Sequence, residues 1–340
     1  MPIAIGLLAA QGRLRPSVCE EFLFVAELSL EGLLRSVAGV LPIAITARAE
    51  GFKKIIVAQE NINEALLVDG LEVYAPKNLM ELVDFLDGEI ELEPAKPVPV
   101  DEPEGFVELV DDFADVQGQF MAKRALEIAA AGGHNVLMVG VPGSGKTMLA
   151  KRVSSILPEM TREEALEVTK IYSIAGLLNN KSGLITERPF RSPHHTITLS
   201  ALIGGGKVPV PGEVTLSHNG VLFLDEFPEF SRDALEVLRQ PMEDKYVHIS
   251  RMKGSCVFPA SFLMICAQNP CPCGYLGDKE KNCTCSDFQI NRYFTIKFIH
   301  SIQGDINYSI YLSQIWDFTN INLIPFIQLV IIYINIYIFI

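Results

Sequence analysis

Cysteine is scarce: 7 residues in 340, an odd number and most of them late in the chain. That excludes a small module stapled by disulfides. No basic stretch precedes the apolar residues at the N-terminus, so they do not read as a secretory signal, and a reduced cytoplasmic setting is the expectation. Polar low-complexity composition is also missing. With 49% hydrophobic residues the chain can bury a core, which excludes wholesale disorder. There is no N/T-K-x-D element of the guanine-reading kind, which argues against a GTPase.

Positive charge is in deficit, 28 Lys plus Arg against 41 Asp plus Glu for a net −13, but the deficit is local. Eleven acids and one base, Lys96, lie between Asp87 and Asp115, together with Pro94, Pro97, Pro99 and Pro103. Proline fixes φ and removes a backbone donor, so 89–112 reads as an extended acidic linker. The remainder is near neutral, so acidity overall does not exclude a nucleic-acid partner.

The linker divides the chain. Residues 1–88 read as α/β. The runs Phe22–Leu28 and Leu33–Val37 suggest a β-hairpin, Lys54–Ala58 a strand, and Leu41–Ala49 and Asn78–Leu86 helices. Residues 113–293 alternate apolar strands (Asn135–Val139, Val221–Leu224, Phe262–Cys266) with helical patterns, notably Lys146–Ile156. This is the signature of a parallel sheet covered on both faces. From Phe294 charge nearly vanishes, leaving Lys297, Asp305 and Asp317, and 15 of the last 47 residues are Ile. Residues 294–340 therefore read as an aberrant tail encoded by AT-rich codons. The competing reading is a membrane segment at 321–340, although Asn and Gln interrupt it and no basic flank follows.

Gly140, Val141, Pro142, Gly143, Ser144, Gly145, Lys146 and Thr147 spell a phosphate-binding loop set between a strand and a helix. Glycines let main-chain N–H groups turn toward phosphate oxygens, and the helix N-terminus adds partial positive charge. Lys146 is expected to reach the β- and γ-phosphates and Thr147 to hold Mg²⁺. The strand Val221–Leu224 ends in Asp225, which would complete the Mg²⁺ shell, and Glu226, which would orient and deprotonate the attacking water. Asn269, ending a third strand, would touch the γ-phosphate or water; an Asn-Pro turn is the structural alternative.

Cys271, Cys273, Cys283 and Cys285 form two C-x-C pairs that fit a Zn²⁺ site, or are reduced loop cysteines. Cys19, Cys256 and Cys266 read as ordinary buried residues. His194 and His195 read as a turn-capping or packed pair, since no nearby Glu or Cys completes a metal set; metal ligands or nucleic-acid contacts are the alternatives. Gly204–Lys207 reads as a flexible insertion loop. Tyr246–Ser250 and Ser255–Phe258 suggest a hairpin whose tip offers Arg251 and Lys253 to DNA phosphates; an ordinary exposed tip is the alternative.

The phosphate loop, Leu224-Asp225-Glu226 and Asn269 resemble the Walker A, Walker B and sensor 1 elements of AAA+ ATPases. The stretches Arg188–Thr196, Pro211–His218 and Asn269–Gly274 narrow the resemblance to the magnesium-chelatase-like family of the ComM/YifB type. The resemblance implies a three-layer αβα P-loop domain preceded by a partial Lon-protease-like α/β domain. It implies ATP and Mg²⁺ as cofactors, a hexameric homo-oligomeric ring, and ATP hydrolysis driving a branch-migration DNA helicase. A non-hydrolysing remnant and a chelatase-type metal-insertion motor are the alternatives. Against the family pattern the chain reads as truncated at both ends. Leu41 stands where the Lon-like pattern expects lysine, so no peptidase activity is expected. The arginine-finger strand and helical lid are replaced by the tail, which would weaken hydrolysis more than binding.

Overall fold

The computed structural model describes residues 1–97, 112–178, 183–206, 209–251, 254–278, 281–298 and 308–311. The chain forms two units. The first is Met1–Val107 with Met160–Glu187, the second Glu108–Glu159 with Arg188–Ile340.

In the first unit, strands Phe22–Val25, Lys54–Val57 and Glu72–Tyr74 form a parallel sheet with Lys54–Val57 in the middle. Ile55, Ile56 and Val57 are fully buried, so this strand needs cover on both faces, the situation that favours parallel pairing. One face packs with Phe22, Tyr74, Leu82 and Leu86, the other with Val25, Val40, Ala44 and Val73. The expected hairpin is therefore smaller than its apolar runs. Only Glu27–Leu28 and Leu34–Arg35 pair antiparallel, because Phe22–Val25 is drawn into the parallel sheet. Helix Val40–Ala49 forms as expected, with Leu41 fully buried. Asn78 caps helix Leu79–Asp87 by accepting the Glu81 N–H at 2.9 Å.

Sequence alone places 160–187 within the second domain; in the structure this segment folds with the first. Helix Arg162–Ile174 opens with a reciprocal Thr161–Glu164 capping box. Its buried face carries Ala165, Val168, Thr169, Ile171 and Ser173. The Ser173 carbonyl accepts the Gly39 N–H at 2.9 Å, and the Ser173 hydroxyl donates to Glu64.

The second unit is built on a five-stranded sheet in the order Tyr308–Tyr311, Val136–Val139, Leu263–Gln268, Val221–Leu224, Phe190–Arg191, parallel throughout. Side-chain alternation sorts the sheet into two cores. Leu137, Val139, Leu222, Leu224, Met264 and Cys266 meet Leu235 and Leu238 of helix Arg232–Asp244. Val136, Met138, Phe223, Ile265 and Ala267 meet Leu126 and Ala129 of helix Phe120–Gly132 and Leu149 of helix Lys146–Arg152. The result is the three-layer αβα arrangement. Each fully buried Leu or Phe contributes roughly 1.5–3 kcal/mol relative to exposure. The helix after the phosphate loop is shorter than its periodicity suggests. It becomes a 3₁₀ turn over Val153–Ile156, where the Ser155 hydroxyl accepts the Phe113 N–H at 3.0 Å.

Composition changes at Phe294, but helix Asp287–Phe298 runs across that point, and the strand Tyr308–Tyr311 joins the sheet beside Val136–Val139. The membrane-like stretch 321–340 and most of the acidic linker lie outside the described residues. Among the described residues no helix is long and apolar enough to cross a membrane.

Candidate functional site

The site lies at the C-terminal edge of the second sheet, where open α/β sheets bind ligands. Strand Val136–Val139 runs into the phosphate loop. Gly143 at φ 79° and Gly145 at φ 87° bend the chain in the left-handed region that other residues avoid. Helix Lys146–Arg152 then begins with its free N–H groups facing the loop.

Lys146 is 8% exposed. Its Nζ donates to Gly140 O at 2.7 Å, Val141 O at 3.1 Å and Asn269 Oδ1 at 3.3 Å. Burial pushes its pKa down from the usual lysine value, and the charge of Asp225 works against that shift. Thr147 Oγ1 donates to Asp225 Oδ2 at 2.7 Å. Lys146, Thr147, Asp225 and Asn269, spread over 124 residues of sequence, thus meet at one place. The Ser144 hydroxyl in the same loop is buried without a hydrogen-bond partner among the described residues, a donor suited to an anion's oxygen.

Glu226 sits at φ 49°, a left-handed conformation that is uncommon for a residue with a side chain. Its carboxylate is 3.2 Å from His195 Nδ1. Of the packed or turn-capping readings, the turn-capping one describes His194, which is exposed and whose Nδ1 accepts the Thr196 N–H at 3.3 Å, with its ring 4.1 Å from that of His195. It misses the contact of His195 with Glu226. Nothing in local spacing signals a contact across 31 positions; the parallel strands Phe190–Arg191 and Val221–Leu224 bring the segments side by side.

Three more neighbours escape sequence reasoning. Gln119 Nε2 donates to Ser144 O at 3.1 Å, steadying the phosphate loop from outside. Gln268, just before Asn269, is 2% exposed, and neither polar atom of its amide has a partner among the described residues. Tyr293, on helix Asp287–Phe298, has its pKa pushed up to about 12 by burial and by the nearby charges of Glu229, Cys271 and Glu226.

The stretches that carry the family resemblance are largely braces. Arg191 grips Glu213 through two parallel bonds of 2.6 and 2.7 Å, the bidentate geometry that suits guanidinium and carboxylate. Arg188 donates to Asn219 O at 2.7 Å and to Pro158 O at 2.5 Å. Gly204–Gly205 is no free loop at its base: it pairs antiparallel with Val210–Pro211. Lys207 lies outside the described residues. The expected hairpin is present as Tyr246–Arg251 against Gly254–Pro259, while Lys253 and the side chain of Arg251 lie outside the described residues. Cys271, Cys273, Cys283 and Cys285 come together, with all four sulfur atoms within 4.8 Å of one another. Of the other cysteines only Cys266 is buried as expected; Cys19 and Cys256 are half-buried.

Comparison with known proteins follows this geometry. The family model described as magnesium chelatase, subunit ChlI, matches residues 112–313, and a model for subunit ChlI of Mg-chelatase matches residues 1–61. Competence protein ComM of Haemophilus influenzae is 46% identical over 86% of this chain and 57% of its own length. YifB of Escherichia coli is 42% identical over 89% of this chain and 58% of its own length. The chain thus spans a little over half the length of these relatives. A structure of the complex between subunits BchI and BchD of magnesium chelatase aligns with TM-score 0.39 and 16% identity, over 71% of this chain and 68% of that one.

Proposed function

The chain belongs to the magnesium-chelatase-like family of the ComM and YifB type, and on that premise we propose that its second unit binds and hydrolyses ATP with Mg²⁺. We propose further that it acts in the cytoplasm as part of a homo-oligomeric ring that moves DNA.

The observation that carries this reading is the 2.7 Å bond between Thr147 and Asp225 beside the Lys146 ammonium. It joins one hydroxyl, one carboxylate and one cation at the mouth of a loop rich in main-chain donors. The residues fit the nucleotide. The buried Ser144 hydroxyl, without a partner among the described residues, supplies a donor, and the three acceptors of Lys146 are neutral oxygens, so its charge is available to a phosphate. Thr147 and Asp225 supply the hard oxygen ligands that Mg²⁺ prefers. Thr147 and Asp225 would hold the ion, which would supply charge neutralisation to the phosphates when bound.

The chain's own residues then divide the work. Loop N–H groups and Lys146 bind and orient the triphosphate. Asn269 lies within hydrogen-bond reach of Lys146 and would align the terminal phosphate or the incoming water. Glu226 accepts that water's proton, and His195 holds the carboxylate in place until it turns toward the water. The hairpin Tyr246–Pro259 would carry Arg251 and Lys253 to DNA phosphates in the assembled ring, a sequence-independent contact.

Nucleotide titration and phosphate release, each with and without DNA, test the reading. Wild type is expected to bind ATP and to turn it over faster with DNA present. Lys146→Ala is expected to bind at least about 100-fold more weakly, since it removes a buried charge aimed at phosphate. Equal ATP affinity for wild type and variant would refute the site. Tight binding without turnover would favour the non-hydrolysing reading.

A further inference from the structure

Between the strand Leu263–Gln268 and the helix Asp287–Phe298 the chain makes a loop that carries four of its seven cysteines. The sulfurs of Cys271 and Cys273 are 3.3 Å apart, those of Cys271 and Cys283 3.6 Å, and those of Cys273 and Cys283 3.5 Å. Cys285 closes the group, all four sulfurs lying within 4.8 Å. Zn–S bonds of about 2.3 Å directed to tetrahedral corners would set sulfurs about 3.8 Å apart, close to what is found. All four are free thiols, so no covalent bond accounts for the cluster.

Core packing does not account for it either. Cys271 is buried, but Cys273, Cys283 and Cys285 are only partly so. Main-chain donors point at the sulfurs. The Cys273 N–H donates to Cys285 Sγ and the Cys285 N–H to Cys283 Sγ, each at 3.4 Å. Such donors stabilise negative charge on sulfur, and thiolate is the form that binds metal. An all-sulfur donor set of four selects zinc over magnesium or calcium, which prefer oxygen.

We infer that Cys271, Cys273, Cys283 and Cys285 hold a structural Zn²⁺ ion that pins the loop following Asn269 against the phosphate loop. Two contacts give the pinning its direction. Asn269 lies two residues before the first ligand. At Gly274 an added Cβ would stand 2.9 Å from Pro142 Cγ, so the loop backbone rests on the phosphate loop itself. The metal centre stands on the sulfurs alone; its influence on nucleotide rests on the ATP reading above.

The test uses the full chain, purified under reductant and without chelator. Elemental analysis is expected to give about one zinc per chain, with the four cluster thiols protected until the metal is extracted. Co²⁺ exchanged for zinc is expected to show the intense visible absorption of a tetrahedral tetrathiolate. Cys273→Ser with Cys283→Ser is expected to abolish retention, whereas Lys146→Ala is expected to keep it, so failure of the nucleotide site and of the metal site read differently. Extraction of zinc is expected to weaken ATP binding several-fold, with recovery on adding zinc back. Because the serine variant could misfold, the cobalt spectrum of the wild-type chain decides independently. A folded wild-type chain that takes up neither metal, leaves all seven thiols reactive, or joins these cysteines as disulfides under reductant would overturn the proposal. Metal uptake with unchanged ATP affinity after extraction would overturn the pinning.

Discussion

Two glutamates, one in each unit, show how the same side chain serves opposite ends. Glu64 of the first unit is 7% exposed. It accepts hydrogen bonds from the Leu41 N–H at 2.8 Å, from Asn61 Nδ2 at 3.0 Å and from the Ser173 hydroxyl. Asn61 in turn is fixed to both polar backbone atoms of Val37 at 3.1 Å. Glu226 of the second unit is exposed and sits in a strained backbone conformation, and its carboxylate lies 3.2 Å from His195 Nδ1. A buried carboxylate whose lone pairs are filled is a staple, here joining residues 109 positions apart. A carboxylate at an open sheet edge keeps lone pairs available to other groups. A cavity of about 200 Å³ lies beside Glu64, lined by Ser36, Asn61 and Ser173.

Charge-neutralising substitutions sharpen the contrast. Glu226→Gln is expected to lower phosphate release by about 10²–10⁴-fold while leaving ATP affinity and melting temperature nearly unchanged, the signature of a lost general base. Glu64→Gln is expected to do the reverse. Placing an NH₂ group opposite the Asn61 amide should cost about 1–3 kcal/mol in denaturant unfolding and leave nucleotide binding alone. Comparable losses of turnover in both variants would erase the distinction. His195→Ala is expected to change turnover by a few-fold without altering ATP affinity; a change in affinity alone would assign His195 to binding instead. The smallest effect is expected at Gln268. Gln268→Met removes a buried amide without partners at similar volume and should be neutral or stabilising by up to about 1 kcal/mol in a melting experiment. A clear destabilisation would mean that the amide has a partner, such as an ordered water.

How legible the molecule was depended on range. The phosphate loop and Asp225 were readable because each is a local string with a fixed mechanical purpose, and their meeting follows from parallel strands whose C-terminal ends share one edge. Asn78 and Gly88 announced the ends of their helix through capping chemistry. His195 against Glu226 was not readable, because the register of distant strands decides it. Nor was the departure of 160–187 from the second unit. Helix Arg162–Ile174 shows an amphipathic pattern that any apolar surface could satisfy, and the buried pairing of Ser173 with Glu64 carries no local signal. The hairpin at Phe22–Val37 was overread, since an apolar run fits an antiparallel or a parallel neighbour equally well until the other strands are known.

Arg188 deserves a final look. Its guanidinium holds the carbonyls of Pro158 and Glu159, the last residues before the chain leaves the second unit, and Arg188 itself is where the chain returns. The excursion is thus clasped at its neck. A short bridge from Glu159 to Arg188 offers a way to prepare the second unit as a minimal protein, and the same neck is a natural place to graft a segment of different length.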